Sequence, residues 1–198
     1  LMDYNERYHK SDQEVIAEQA IIEQSKENPR AFEKVYNAYY KQILQFVYQR
    51  LDSKETAIDI TQNTFLKALQ NLPKYQFKGL PFSSWLYRIA LNELNDFFRK
   101  NATKRTVNLE DNVINLLTAD SSSNEDAEEH QQKLGMLKKA IQQLQAEDFL
   151  YIEMRFFEGR PFAEIAEILE ITENNAKVKT YRILEKLKKI MTPQLAQL

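Results

Sequence analysis

The sequence predicts an all-α protein with two helical domains joined by an acidic linker, and three observations carry that expectation. Only three Gly and five Pro occur in 198 residues, while Leu, Ile, Ala, Glu, Gln and Lys are abundant. Such a composition favours helices and disfavours a barrel or a sandwich. Apolar residues also recur at helical spacing along both halves of the chain. Residues 106–132 break that pattern. They hold Glu110, Asp111, Asp120, Glu125, Asp126, Glu128 and Glu129 with no Lys or Arg, a charge of −7, together with Ser121, Ser122 and Ser123. They read as a linker: either an acidic tether that repels nucleic acid and lies along a basic groove of a partner, or a plain solubilising spacer.

The N-terminal domain spans residues 10–105. Val15 to Ser25 is a modest amphipathic helix. Asn28 followed by Pro29 caps a stronger one, with Phe32, Val35, Tyr36, Tyr39, Ile43, Phe46 and Val47 on a continuous apolar face. Asp52 or Ser53 begins a third helix with Ile58, Thr61, Phe65, Ala68, Leu69 and Leu72 inward, ending before Pro73. Its other side shows Asp59, Gln62 and Asn63 at i, i+3 and i+4, a polar patch that is either a solvated face or a grip for a partner helix. Residues 73–82 form a loop, and Ser83 or Ser84 caps a fourth helix running to about Asn101.

On that fourth helix Trp85, Arg88, Asn92, Asp96 and Arg99 fall within an arc of about 80°, while Leu86, Ala90, Leu94 and Phe97 turn the other way. An aromatic ring sharing a face with amides and guanidinium groups is the composition of a platform for unpaired bases, where stacking contributes ~1–3 kcal/mol per base. The plainer reading makes Trp85 an edge residue of the core. Tyr75, Phe77 and Phe82 lie nearby.

The C-terminal domain spans residues 133–192. Leu134, Leu137, Ile141 and Leu144 make its first helix and Phe149 to Phe156 its second. A helix-turn-helix follows over Phe162 to Leu187. Its first helix opens at Pro161 and sets Phe162, Ile165, Ala166 and Leu169 in one stripe. Glu170, Ile171 and Thr172 make the turn, with Thr172 as N-cap. In the second helix Ala176, Thr180, Ile183, Leu184, Leu187 and Met191 pack inward. The opposite face carries Asn174 and Asn175, whose amides match adenine, Arg182, whose fork matches guanine, Val178 and Tyr181, and Lys177 and Lys179 within reach of phosphates. The plainer alternative is an antiparallel helix pair with a solvated basic face.

The net charge of −2 hides a segregated distribution. Lys177, Lys179, Arg182, Lys186, Lys188 and Lys189 cluster against Glu185 alone, and Arg99, Lys100, Lys104 and Arg105 form a second basic group, as nucleic-acid contact requires. There is no Cys, hence no disulfide and no thiolate metal site, and both His residues fall in expected tail or linker. No Gly-rich phosphate loop and no paired acid and base occur, so neither an enzyme nor a cofactor is expected. No apolar run approaches a membrane span, which argues against membrane insertion, and Leu1 to Asp12 lacks the basic-then-apolar pattern of a secretory signal. The cytoplasm is the expected location.

Read together, these segments resemble the bacterial RNA polymerase sigma factors of the extracytoplasmic-function class, over about residues 10–192. The string Asp59-Ile-Thr-Gln62-Asn63-Thr-Phe65 is similar to the family's core-polymerase-binding segment. Phe82-Ser-Ser-Trp85-Leu-Tyr-Arg88-Ile-Ala-Leu-Asn92, followed by Asp96 and Arg99, is similar to its promoter-melting helix. Ile165-Ala166, Leu169, Ile171 and Lys177 through Arg182 to Leu187 are similar to its C-terminal DNA-reading module. The resemblance implies that Asp59, Gln62, Asn63 and Phe65 bind core RNA polymerase at the β′ clamp coiled coil. It implies that Trp85, Arg88, Asn92, Asp96, Arg99 and Lys100 meet the minus-ten element, with the loop over residues 73–82 and Asn92 receiving a flipped base. It further implies that Asn174, Asn175, Lys177, Val178, Lys179, Tyr181 and Arg182 read the minus-thirty-five element of promoter DNA while this module leans on the β flap. An anti-sigma factor becomes a candidate partner.

Three positions depart from the family pattern. Asn63 stands where an acidic residue is usual, which removes a charge from the clamp contact. Glu170 occupies a turn position often taken by Gly, at a cost of roughly 1–2 kcal/mol wherever the backbone there needs positive φ. Asn174-Asn175-Ala176 replaces the common Gly-Thr-Val, altering the base contacts. The competing function is a stand-alone helix-turn-helix transcriptional regulator, which would bind duplex DNA without polymerase; a helical adaptor that touches no DNA is a third class.

Overall fold

The computed structural model of the chain describes residues 10–101 and 127–195. Among the described residues there are eight α-helices and no strand: α1 (Asp12–Glu27), α2 (Glu33–Tyr48), α3 (Lys54–Asn71), α4 (Phe82–Asn101), α5 (Ala127–Gln142), α6 (Ala146–Ile152), α7 (Phe162–Leu169) and α8 (Glu173–Leu195). The all-α class is as the composition predicts. Most of the expected linker lies outside the described residues, but α5 begins at Ala127, inside the predicted 106–132 span. Its opening run, Ala-Glu-Glu-His-Gln-Gln, consists largely of good helix formers, so the acidic composition that marks a linker is here compatible with a helix. No helix among the described residues is long and apolar enough to cross a membrane.

Local chemistry explains several helix ends. Ser11 opens α1 with a capping box: its hydroxyl accepts from the Glu14 N–H at 3.4 Å while the Glu14 carboxylate accepts from the Ser11 N–H at 2.8 Å. Asn28 accepts from the Arg30 N–H at 3.1 Å and leads through a 3₁₀ turn, Pro29–Phe32, into α2. Ser53 caps α3 by accepting from the Thr56 N–H at 3.2 Å. Beyond Asn71 the chain tightens into a 3₁₀ turn at Leu72–Lys74, since Pro73 cannot continue an α-helix.

The start of α4 differs from expectation. Ser83 and Ser84 lie inside its first turn and are buried. Its cap comes from α1 instead: the Phe82 N–H donates to Glu18 Oε2 at 2.9 Å. The same carboxylate accepts from Lys10 Nζ at 2.6 Å and from the Tyr39 hydroxyl, so one side chain ties α1, α2 and α4 together. Burial, and then the Glu18 charge, push the Tyr39 phenol well above its ordinary range.

Two apolar clusters result. One centres on Ile22, Val35, Ile43, Phe46, Phe65, Leu72, Leu86 and Leu94 of the first four helices and the turn after α3, and the other on Ala140, Ile141, Phe149, Ile152, Ile183 and Leu187 of the C-terminal unit. The helix α7 does not respect that division. Its Ile165, Ala166 and Ile168 join the first cluster, so the two units dock through α4 and α7. Six of the eight residues of α7 are apolar, enough to cover two sides of a helix rather than the single stripe the sequence reading assigned.

A buried polar seam borders this apolar contact. Arg50, just past α2, pairs with Glu153, and both are buried. Glu153 belongs to a π-helical turn, Glu153–Phe157, which replaces the last part of the helix expected over Phe149 to Phe156. Arg160 is 1% exposed; it donates to Glu158 at 2.5 Å and to Glu164 at 2.8 Å, and stacks 4.1 Å from the centre of the Tyr87 ring. Tyr87 and Ser84 of α4 donate across the seam to Glu158 and Glu164, each at 3.3 Å. Burial alone would weaken the hold of Arg160 on its proton, yet Glu158, Tyr87 and Glu164 reverse that effect and keep the guanidinium charged.

Candidate polymerase and nucleic-acid interfaces

On α3 the structure exposes Asp59, Gln62 and Asn63 together, as their spacing predicts. Phe65 does not share that face. It is 3% exposed and packs edge-on against Phe32 and Tyr36, with ring centres 6.5 and 4.9 Å away. Phe65 therefore supports the patch from behind and is not a contact residue in this arrangement. Leu66 is 52% exposed and takes a place beside the patch that the sequence reading missed. Its position at i+7 from Asp59 and i+3 from Asn63 was the available signal. Thr61 and Thr64 return their hydroxyls to the helix, donating to the Ala57 and Ile60 carbonyls at 2.7 and 2.8 Å.

On α4 the aromatic residues form a nest, not an open platform. Tyr75, Phe82 and Trp85 sit with ring centres 5.0–5.2 Å apart, and Trp85 is 9% exposed. Burial, and then nearby carboxylates led by Glu18, push the Tyr75 phenol up to about 12. The expected stacking surface of Trp85 is thus closed in the docked molecule; Phe77, in the loop before α4, is the exposed ring of this region. Arg88 is half-buried and engaged: its Nη1 donates to Glu167 of α7 at 2.8 Å and lies 3.8 Å from Glu170. Asn92 is exposed and lines a cleft of about 430 Å³ between the two units, along with Arg50, Asn95, Tyr151, Glu170 and Lys179. Asp96 and Arg99 pair with each other at 2.9 Å, and Lys100 is exposed at the end of the helix.

On α8 the expected reading face is exposed throughout: Asn174, Asn175, Lys177, Val178, Lys179, Tyr181 and Arg182. Thr172 caps the helix, accepting from the Asn175 N–H at 3.3 Å, and Ala176, Thr180, Ile183 and Leu187 are buried on the other side. Glu170 adopts φ 55 and ψ 42, the only non-Gly residue with positive φ among the described residues, so the strained turn anticipated there exists. Lys179 and Lys186 both reach Asp148 of α6, at 3.0 and 3.1 Å. Burial disfavours the Asp148 charge, but hydrogen bonds from the two lysines outweigh it and hold this carboxyl below its ordinary value. Lys179 is thereby partly committed to fixing α8 on α6. Tyr181 packs beside Phe162, ring centres 6.5 Å apart.

The structure therefore brings Asn92 of α4 and Lys179 of α8 to one cleft. It leaves the α3 patch and the α8 face open while Tyr75 and Phe82 enclose Trp85 and Glu167 of α7 engages Arg88.

Comparison with known proteins agrees with this division. A model of sigma-70 region 2 matches residues 35–104, and a model of sigma-70 region 4 matches residues 134–187. The chain is similar to the ECF RNA polymerase sigma factor BldN of Streptomyces coelicolor, 28% identical over 163 residues that cover 81% of this chain and 60% of that protein. It is similar to the RNA polymerase sigma factor YlaC of Bacillus subtilis, 27% identical over 162 residues, covering 82% and 92% of the two chains. The ECF RNA polymerase sigma factor SigW of Bacillus subtilis is 27% identical over 182 residues, covering 89% and 97%. Among solved structures, CnrH in complex with the cytosolic domain of CnrY shares the fold at a TM-score of 0.57 and 19% identity, covering 87% of this chain and 95% of that one. With the two region models in order along the sequence and relatives that carry the same class name, the chain belongs to the sigma-70 family of bacterial RNA polymerase sigma factors, in its extracytoplasmic-function class.

Proposed function

We infer that this chain binds core RNA polymerase and directs promoter-specific initiation of DNA-templated transcription. The observation that carries the reading is one chain holding both sigma regions with the α3 patch and the α8 reading face exposed. Asp59, Gln62, Asn63 and Leu66 of α3 form the surface for the β′ clamp coiled coil. Asn63 leaves that contact with Asp59 as the patch's one carboxylate. The amides of Asn174 and Asn175 and the fork of Arg182 read the duplex minus-thirty-five element, with Lys177 on phosphates and Val178 and Tyr181 making apolar contact. The same unit leans on the β flap.

Asn92, with Arg88, Asp96, Arg99 and Lys100, serves the minus-ten element on the α4 face, and the loop before α4 takes a base extruded from the stack. That use requires α7 to leave α4, because Arg88 is held by Glu167 in the docked form. Holding two promoter elements and the polymerase in one assembly is what converts binding into initiation. No catalytic step falls to this chain in that scheme, and its work lies in the cytoplasm beside the polymerase.

Co-purification with core enzyme followed by run-off transcription tests the reading. A sigma factor confers initiation on matched promoter fragments and binds promoter well only when joined to core. A stand-alone regulator binds duplex tightly by itself and leaves core enzyme unprogrammed.

A further inference from the structure

Two cations from different elements converge on one carboxylate at the docked interface. Lys78 Nζ, in the loop before α4, lies 2.8 Å from Glu167 Oε2, and Arg88 Nη1, on α4, lies 2.8 Å from Glu167 Oε1. Each carboxylate oxygen thus takes one cation. Glu167 is well covered, with 16% of its side chain exposed, and it comes from α7, 89 residues from Lys78 and 79 from Arg88 in sequence. The neighbours repeat the theme: Glu164, one turn earlier on α7, accepts from Ser84 of α4 at 3.3 Å, and Glu170, one turn later, lies 3.8 Å from Arg88. An acidic stripe of one unit therefore lies along the α4 face of the other.

A carboxylate and a phosphodiester offer the same thing to such a pair: two equivalent oxygens on one atom and a single negative charge. We propose that Lys78 and Arg88 form a clamp for a backbone phosphate of single-stranded promoter DNA, and that Glu167 occupies it in the docked molecule. The proposal rests on the sigma-factor reading for the identity of the DNA, and it adds Lys78, which the sequence reading passed over, to the nucleic-acid face. It also makes docking of α7 and binding of DNA to α4 mutually exclusive at this point. The two cations sit on the N-terminal unit, so they remain in place for DNA once α7 departs.

The full chain is titrated into a short fluorescein-labelled single-stranded DNA of mixed sequence, by anisotropy, over a series of NaCl concentrations and without polymerase. Glu167→Gln keeps the shape of the side chain and removes the competing charge. It should tighten binding roughly two- to fivefold, the range expected from releasing one ion-paired site. Lys78→Gln in the Glu167→Gln background should cancel that gain and reduce the slope of log K against log salt concentration by about 0.7, one phosphate fewer. A gain that is absent in Glu167→Gln overturns the proposal, and so does a salt slope unmoved by Lys78→Gln, since a merely structural lysine would leave that slope alone. Run-off transcription by the wild-type chain with core enzyme is recorded alongside. Failure there strikes the sigma reading, whereas normal transcription with an unmoved salt slope strikes the phosphate clamp only.

Discussion

Replacing Arg50 by alanine should open the docked molecule, and do so more strongly as the pH rises. The guanidinium of Arg50 is held from three sides: Nη1 donates to the Phe46 carbonyl at 2.6 Å, the group lies 3.8 Å from the centre of the Phe46 ring, and it pairs with Glu153. The two residues are 8% and 5% exposed, so Arg50→Ala strands the Glu153 carboxyl in a dry seam. The carboxyl then has two routes. Staying charged costs several kcal/mol of lost hydration. Taking up a proton from its ordinary value of 4.5 costs about 1.4 kcal/mol per pH unit, hence about 3.5 kcal/mol at pH 7 and about 2 kcal/mol at pH 6.

The cheaper route sets the penalty on docking. Burial pushes Glu153 up even with Arg50 beside it, and Glu158 adds to the rise while Arg160 opposes it. A group whose value is raised on docking favours docking fully below its undocked value and loses that contribution as the pH climbs through the docked one. Arg50→Ala removes the largest opposing influence, so the loss deepens.

The chain has no Cys, which makes the assay direct. Fluorophores at Gln70→Cys and Gln143→Cys, both exposed positions on opposite units, report docking by energy transfer. The wild type should lose transfer efficiency only slightly between about pH 5 and pH 7, while Arg50→Ala loses it much more steeply over that interval. Equal efficiencies at every pH, or a loss in Arg50→Ala that does not depend on pH, would refute the reasoning.

Other perturbations test single contacts. Glu18→Ala removes the cap of α4 and the partner of the Tyr39 hydroxyl and of Lys10, and should cost about 2–3 kcal/mol in urea unfolding; a loss below about 0.5 kcal/mol would show that the shared carboxylate does not hold α4. Glu170→Gly should stabilise the chain by about 1 kcal/mol, because φ 55 is strained for a side chain, and a lowered urea midpoint would show that the 3.8 Å approach to Arg88 matters more than the strain. Arg182→Ala should weaken duplex binding by ~1–3 kcal/mol and relax one base preference; unaltered affinity and preference would remove Arg182 from the reading set.

Much of the fold was legible because its signals are local. Ser53 and Thr172 cap the helices their positions predict, Pro73 marks the end of α3, and most of the inward stripes of α2, α3 and α8 are buried, with Tyr36, Ile58, Leu69, Leu184 and Met191 only half-buried. Glu170 could be singled out because a turn of that kind demands positive φ whatever occupies it. The cap of α4 was not legible. Glu18 acts across 64 residues, and two nearer serines offered a local answer.

Docking of the two units was the larger omission. Its seam is built from Arg50, Tyr87, Glu153, Glu158, Arg160 and Glu164, residue types that read as solvated until their partners are known. The helix α7 did carry a hint, since Ile168 and Ala163 extend its apolar surface beyond the stripe of Phe162, Ile165, Ala166 and Leu169. Trp85 shows the same limit from the other side. The helical arc puts it on the side of Arg88 and Asn92, but spacing carries no information about Tyr75 and Phe82, whose rings enclose it.

The central claim is that one chain joins core polymerase to promoter DNA. Run-off transcription by core RNA polymerase on matched promoter fragments, with wild type and Asn92→Ala side by side, tests it most directly. The account predicts initiation with the wild-type chain, none without it, and a defect confined to strand opening in Asn92→Ala. Tight duplex binding by the chain alone, with core enzyme neither bound nor programmed, would contradict it.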